Sequence, residues 1–311
     1  MAVHVATVPR PISRPAQWPI YFARCFIEAR LTVQFIFLLR FLAGRSLTGQ
    51  GGRYLVNGRV FLAASVWEAV ILAIYLHNGV ADVVEDRLNR STRPIASGLL
   101  PPSFAATVAI ASAVLGVAGA CVLGRTYVVL VLATLGLGYL YTGKPFALKR
   151  YSAGAGATVL LAGLLTFAAG AAVEGPLRLT TPLVVFAVAM SVWMGAVGAL
   201  AKDLSDLHGD ALAGRRTCVV VHGAESVRRK VTRNAMLIAV GLTVVSVAAV
   251  PQARLAALGL LVGAAALTVC SDRLLPDGLR HPRLPYRAFM ATQYGVHLIV
   301  VFATFFALGS V

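Results

Sequence analysis

Stretches of about 20 consecutive apolar residues recur along this chain, and a helix of that length is what crosses a bilayer. Nine such stretches are read, at 28–44, 59–78, 104–123, 126–142, 152–173, 181–201, 232–250, 253–271 and 290–309. The first is the weakest, because it carries Arg30, Gln34 and Arg40. Inside a bilayer every backbone polar group must be paired within the protein, so each stretch is expected as an α-helix. The stretches are continuous rather than alternating, which argues against a membrane β-barrel. Charged residues are only 13 % of the 311-residue chain, about half the share in a soluble domain. The predicted fold is therefore an all-α membrane protein, a bundle of nine transmembrane helices forming a single domain over 1–311. Residues 1–27 are expected as an N-terminal cytoplasmic segment. Runs such as Ala153-Gly154-Ala155-Gly156-Ala157 let helix backbones approach closely.

The net charge of +16 would suggest nucleic acid in a soluble protein. Here the basic residues fall in short loops between apolar stretches, which membrane orientation explains more simply, and no nucleic-acid partner is expected. They cluster in the N-terminal segment and in the loops after the second, fourth, sixth and eighth stretches. The positive-inside rule places that side in the cytoplasm. Residues 1–20 carry Arg10 and Arg14 and no apolar core, so no cleavable signal peptide is expected. The four cysteines (Cys25, Cys121, Cys218, Cys270) form no CxxC pair, which suggests neither a disulfide framework nor a zinc site. Arg far outnumbers Lys, and Ala and Val are abundant. This points to a GC-rich bacterial genome and makes a specialised-metabolite pathway plausible.

Half of the 12 acidic residues fall in two short windows at cytoplasmic ends of the expected spans. The first holds Asn78, Asp82, Glu85 and Asp86; the second holds Asp203, Asp206 and Asp210. At spacings of three and four, Asn78, Asp82 and Asp86 form one helical stripe. Asp203, Asp206 and Asp210 form another if the helix continues past Gly209. A single Asp at a span end is usually a solvated cap. Two stripes in a chain this poor in acids are harder to dismiss, and acids at a membrane edge are functional candidates. Stacked carboxylates stay ionised when cations lie between them. Oxygen ligands that leave room for water and phosphate suit Mg²⁺, and two facing stripes could hold ions that bridge to a diphosphate. A cation-coupled transporter, the rival class, would place its acids nearer the bilayer midplane.

Cationic residues lie on the same side, among them Arg87, Arg90, Arg93, Lys149 and Arg150. Beside a metal-bound diphosphate they would take up charge on its leaving oxygens. Glu68, at helical spacing from Tyr75 and Asp82, either faces a central cavity or pairs with an Arg. Trp67, Tyr75, Tyr139 and Trp193 could line an apolar pocket and stabilise a cation, although packing and interface anchoring more often explain aromatics in spans.

These windows resemble the UbiA superfamily of intramembrane prenyltransferases. Asn78, Asp82, Asp86-Arg87, Asn89, Arg93-Pro94-Ile95 and Ser97-Gly98 resemble NDxxDxxxDRxNxxxRPIxSG, with Gly79 where Asp is usual. Lys202-Asp203, Asp206, Gly209-Asp210, Gly214 and Thr217 resemble KDxxDxxGDxxxGxxT. Tyr141 to Arg150 resembles YSxPPxRLKR, with Lys144 where Pro is common. The resemblance implies a helical bundle around a central cavity, and Mg²⁺ held by Asp82, Asp86, Asp203, Asp206 and Asp210. It implies an isoprenyl diphosphate contacted by Asn78, Arg93, Tyr141, Lys149, Arg150 and Lys202, and loss of diphosphate assisted by Lys149 and Arg150. The resulting allylic cation would be attacked by a small-molecule acceptor, often an electron-rich aromatic ring, with the prenyl tail among the helices and open to membrane lipid. Glu68, Tyr75 and Tyr139 are the candidates for the acceptor or cation pocket. The same ionisation serves terpene cyclases and the lipid- and chlorophyll-type branches, so the acceptor stays open at this point.

Overall fold

The computed structural model describes residues 17–49, 57–88, 91–212, 214–271, 281 and 283–309, apart from the side chains of His208 and of residues 304–309. Asn89, Arg90, Arg10 and Arg14 lie outside the described residues. The regular structure is helical: α1 (Trp18–Glu28), α2 (Leu31–Ser46), α3 (Gly58–Ala81), α4 (Val83–Leu88), α5 (Pro102–Leu123), α6 (Arg125–Thr142), α7 (Ser152–Ala171), α8 (Thr181–Trp193), α9 (Ala199–Leu212), α10 (Cys218–Ala248), α11 (Arg254–Ser271) and α12 (Leu284–Gly309). A π-turn, Met194–Gly198, joins α8 to α9 without a break in the helix.

All nine expected stretches fall on helices, but the count of nine spans is not confirmed. Among the described residues seven helical stretches are long and apolar enough to cross a membrane: 58–81, 102–123, 125–142, 152–171, 181–207, 218–248 and 251–271. The first expected span is α2, whose 16 residues rise only about 24 Å, short of the ~30 Å hydrocarbon core. The ninth is α12, which is not among the seven.

Local chemistry sets the ends. The Asn57 side chain caps α3 by accepting from the Val60 amide at 2.9 Å, and Thr180 caps α8 by accepting from Leu183. Between α5 and α6 the chain turns at a single residue, Gly124, with φ +116°, a conformation that L side chains avoid. Around the bundle, α3 packs on α5, α5 on α6, α6 on α7, α7 on α8, α8 on α10, α10 on α11 and α11 on α12. The ring closes through α12 on α2 and α2 on α3, and α2 also packs tightly on α7. That last crossing depends on Gly44 and Gly170: an added Cβ at either would overlap backbone of the opposite helix. Lipid offers no hydrophobic drive to pair helices, so close backbone approach of this kind must supply it.

One end of the bundle is polar. It gathers the C-terminal ends of α3 and α9, helix α4, the α6–α7 connection and the N-terminal ends of α2, α10 and α12. The short helix α1 packs against α3 and α5 at this end, with Cys25 and Glu28 buried and Trp18, Phe22 and Phe26 exposed.

Candidate active site

A cavity of about 220 Å³ opens at the polar end and runs down among α2, α3, α6, α7, α9 and α12. Its deeper wall is apolar and aromatic, formed by Phe37, Ile71, Ile74, Leu137, Val159 and Phe289 among others. Its mouth carries Asn78, Asp82, Asp86, Arg93, Tyr141, Lys149, Lys202, Asp203, Asp206 and Asp210. Both acid windows therefore face one space.

The helical spacing explains how. The first window is not one unbroken helix, since α3 ends at Ala81 and α4 begins at Val83. Yet the Asp82 amide donates to the Asn78 carbonyl at 2.9 Å, and the Asp86 amide to that of Asp82 at 2.8 Å. The i to i+4 ladder crosses the junction and keeps the three side chains in one row. In the second window α9 continues to Leu212, so Asp203, Asp206 and Asp210 share a helical face. Gly198, in the π-turn just before α9, lines the cavity, and π-turns are frequent at functional sites.

Each carboxylate has its own partner. Lys149 makes a close ion pair with Asp82, Arg93 reaches Asp86 at 2.7 Å, and Lys202 reaches Asp206 at 2.8 Å. Asp203 accepts from the Ser152 hydroxyl at 2.7 Å. Lys149 is carried in on a single 3₁₀ turn, Leu148–Arg150, entered through Ala147 at φ 41°. That turn points Lys149 inward and Arg150 outward. Arg150 is exposed, and its carbonyl accepts from the Arg216 amide at 3.0 Å.

Arg215 joins the two windows. It pairs closely with Glu85 and lies 3.9 Å from Asp82 on one side and 3.2 Å from Asp210 on the other. Burial works against its charge, but Glu85, Asp210 and Asp82 together raise its pKa. Burial pushes the Asp210 carboxyl up, against the pull of Arg215 and Lys202. The sequence reading treated Arg215 only as one of many loop bases. Its signal was its place between Gly214 and Thr217 in the second window. Arg30, which in sequence marks only a polar flaw in the first stretch and a basic flank, also lines the mouth. Its left-handed backbone, φ 59° at the start of α2, is a strained conformation of the kind that collects at functional sites.

Among the candidates, Tyr139, Glu68, Arg150, Arg87, Trp67 and Trp193 do not line the cavity. Tyr139 is exposed, donates its hydroxyl to the Lys144 carbonyl at 2.9 Å and stacks on His77. The cavity face of α6 runs through Thr134, Leu137, Gly138 and Tyr141, and Tyr139 lies about 200° around the helix from Tyr141. Glu68 lies one turn beyond Ile71, where the α3 wall of the cavity ends. Arg150 is turned away as described. Tyr75 does line the cavity. Trp67 and Trp193 are core residues, packed on Tyr127 and Phe289 respectively.

No three Asp, Glu, His or Cys side chains converge as a metal centre among the described residues. The five aspartates share one cavity but are balanced by Lys149, Arg93, Lys202 and Arg215, because unscreened neighbouring carboxylates repel. The donor set still fits a hard cation. Every acidic group at the mouth is an oxygen ligand, and the buried Asn78 Oδ1 on the same wall has no hydrogen-bond partner, the atom that an oxygen-seeking divalent ion would satisfy.

A helical bundle with a polar mouth and an apolar, aromatic interior is the architecture of an intramembrane cavity. Residues 37–308 match the UbiA prenyltransferase family, and the chain belongs to that family, whose members are membrane-bound transferases. No curated protein matches the chain in sequence. Among solved structures, a UbiA homologue from Archaeoglobus fulgidus bound to GPP and Mg²⁺ aligns with TM-score 0.72 and 19 % identity, over 93 % of this chain and all of that one. A UbiA homologue from Aeropyrum pernix K1, in its apo form, aligns at 0.60 and 17 % identity over 85 % of this chain and 97 % of its own. A digeranylgeranylglyceryl phosphate synthase structure aligns at 0.63 and 16 % identity over 95 % of this chain and all of that one.

Proposed function

We propose that this protein transfers an isoprenyl group from a prenyl diphosphate to a small aromatic acceptor, in a Mg²⁺-dependent reaction at the cytoplasmic face of a bacterial membrane. The observation that carries the proposal is a single cavity in which both acid rows and Lys149 meet at the mouth of an apolar interior. Asp82, Asp86, Asp203, Asp206 and Asp210, with Asn78, would hold the ions. When bound, Mg²⁺ offsets the diphosphate charge and favours its departure.

The protein's own groups divide the remaining work. Lys149, Arg93, Lys202 and Arg215 line the mouth, and each can release its carboxylate partner to take a diphosphate oxygen. Tyr141 offers a hydroxyl to the same group. The isoprenoid tail lies along Phe37, Ile71, Val159 and Phe289, which exclude water from the reacting carbon. The C–O bond to diphosphate breaks with its electron pair leaving on oxygen. The acceptor ring then forms a C–C bond to the allylic carbon, and the ring proton passes to an oxygen of the released diphosphate. Aromatic faces at Tyr75 and Phe289 stabilise the intervening cation.

Arg40 favours a separate acceptor over ring closure. It is fully buried and lines the cavity, donates to Gln293 at 2.7 Å, and leaves Nε and Nη1 without partners. An acceptor oxygen would satisfy those N–H groups, which a hydrocarbon chain closing on itself would leave unpaired. Orientation follows the basic loops, with the N-terminus and the mouth in the cytoplasm.

The test is mass spectrometry of products from membranes offered several prenyl diphosphates, with and without phenolic acceptors. A prenylated aromatic product that disappears with EDTA and returns with Mg²⁺ supports the proposal. A cyclic hydrocarbon or alcohol formed without acceptor would replace it with a cyclase, and substrate flux without diphosphate chemistry would replace it with a transporter.

A further inference from the structure

Glu28 is a fully buried acid on α1, a helix that precedes the stretch matching the family. One of its oxygens lies 2.6 Å from Arg93 Nη2, and the other accepts from the Ile95 amide at 2.9 Å. The Glu28 carbonyl also accepts from Arg93, at 3.1 Å. The other terminal nitrogen of Arg93 lies 2.7 Å from Asp86. Glu28, Arg93 and Asp86 thus form a chain of contacts that ends at the cavity mouth.

Gly79 makes room for it. A Cβ built on Gly79 would lie 2.5 Å from Glu28 Oε1 and 3.1 Å from Arg93 Nη2. Position 79 is where this sequence departs from the NDxxD pattern by lacking an acid. A carboxylate extending from that position would enter the space that the Glu28 carboxylate now occupies, beside the same guanidinium.

We propose that Glu28 is a positioning residue: from α1 it supplies the carboxylate that position 79 lacks, and so holds Arg93 against Asp86. Gly79 and Glu28 are then an exchangeable pair. A planar guanidinium held at both ends has one orientation, and the carboxylate it orients is fixed with it. The inference rests on the prenyl diphosphate reading of the cavity.

The test uses the full-length protein in detergent or nanodiscs, with turnover of a prenyl diphosphate measured as Mg²⁺ is titrated. Glu28→Ala is expected to lower kcat at least tenfold and to raise the Mg²⁺ concentration giving half-maximal rate. Gly79→Asp alone is expected to be impaired by crowding against Glu28. The double variant Glu28→Ala, Gly79→Asp is expected to recover to within about threefold of wild type in both readouts. If Glu28→Ala does not fold, as judged by size exclusion and melting, Glu28→Gln is read in its place, because it keeps an oxygen for the Ile95 amide. Wild-type kcat and Mg²⁺ response in the folded single variant would overturn the proposal. So would a double variant no better than Glu28→Ala, whether inactive or unfolded. A wild-type protein that consumes no prenyl diphosphate would defeat the function reading itself, and this inference with it.

Discussion

Lys149 and Arg215 show how a dense row of carboxylates is kept charged. Each holds a carboxylate across the cavity mouth, and removing either weakens the charge balance of the acid rows. Asp82→Ala or Asp206→Ala is expected to cut turnover roughly 100-fold or more while size exclusion and melting stay close to wild type. Lys149→Ala is expected to fall in the same class, whereas Arg150→Ala, outside the cavity, leaves turnover unchanged. Retained activity in both aspartate variants would remove the ion-binding rows from the account. The aspartates were legible in the sequence because their spacing is helical and acids are scarce. Arg215, Arg30 and Glu28 were not. Arg215 stands between Gly214 and Thr217 of the second window but at a position that the motif leaves open, Arg30 reads only as a flaw in an apolar stretch, and Glu28 meets Arg93 across 65 residues of chain. Tyr139 falls outside the cavity because an aromatic residue in a span marks a helix but not the face it occupies.

The elements were read well where apolar length alone decides them. All nine expected stretches lie on helices, and α3, α5 and α6 begin and end within about three residues of expectation. Helix α10 starts 14 residues earlier than expected, at Cys218, because Arg228, Arg229, Lys230 and Arg233 hide its apolar pattern. Helix α1 has no signal as a span because its 11 residues are about half the length that crosses a bilayer. The π-turn before α9 has no signature that a single sequence carries. Packing between elements gives a sharp expectation at the α2–α7 crossing. Gly170→Leu would push these backbones apart, and overpacking of this kind costs about 1–3 kcal/mol. A lower melting temperature in detergent should report it, with the Mg²⁺ response of any remaining activity unchanged. An unaltered melting temperature would mean that the two backbones do not meet there.

At the scale of the whole molecule, the ring of helices does two jobs. It shields an apolar channel from water, and it brings groups from distant parts of the chain to one mouth. The described basic residues Arg93, Lys149, Lys202 and Arg215 lie at the same end of the bundle as the acid rows. A reporter fused before α1 is expected to read cytoplasmic, and an added cysteine replacing exposed Arg150 should react with an impermeant thiol reagent only from the cytoplasmic side. Reaction from the opposite side would invert the molecule and put the mouth where no cytoplasmic diphosphate could reach it. The most direct measurement of the central claim is titration of purified protein with a prenyl diphosphate in the presence and absence of Mg²⁺. Saturable binding that needs Mg²⁺ and is lost in Asp82→Ala and Asp206→Ala is the predicted result. Equally tight binding without Mg²⁺, unchanged in both variants, would contradict it.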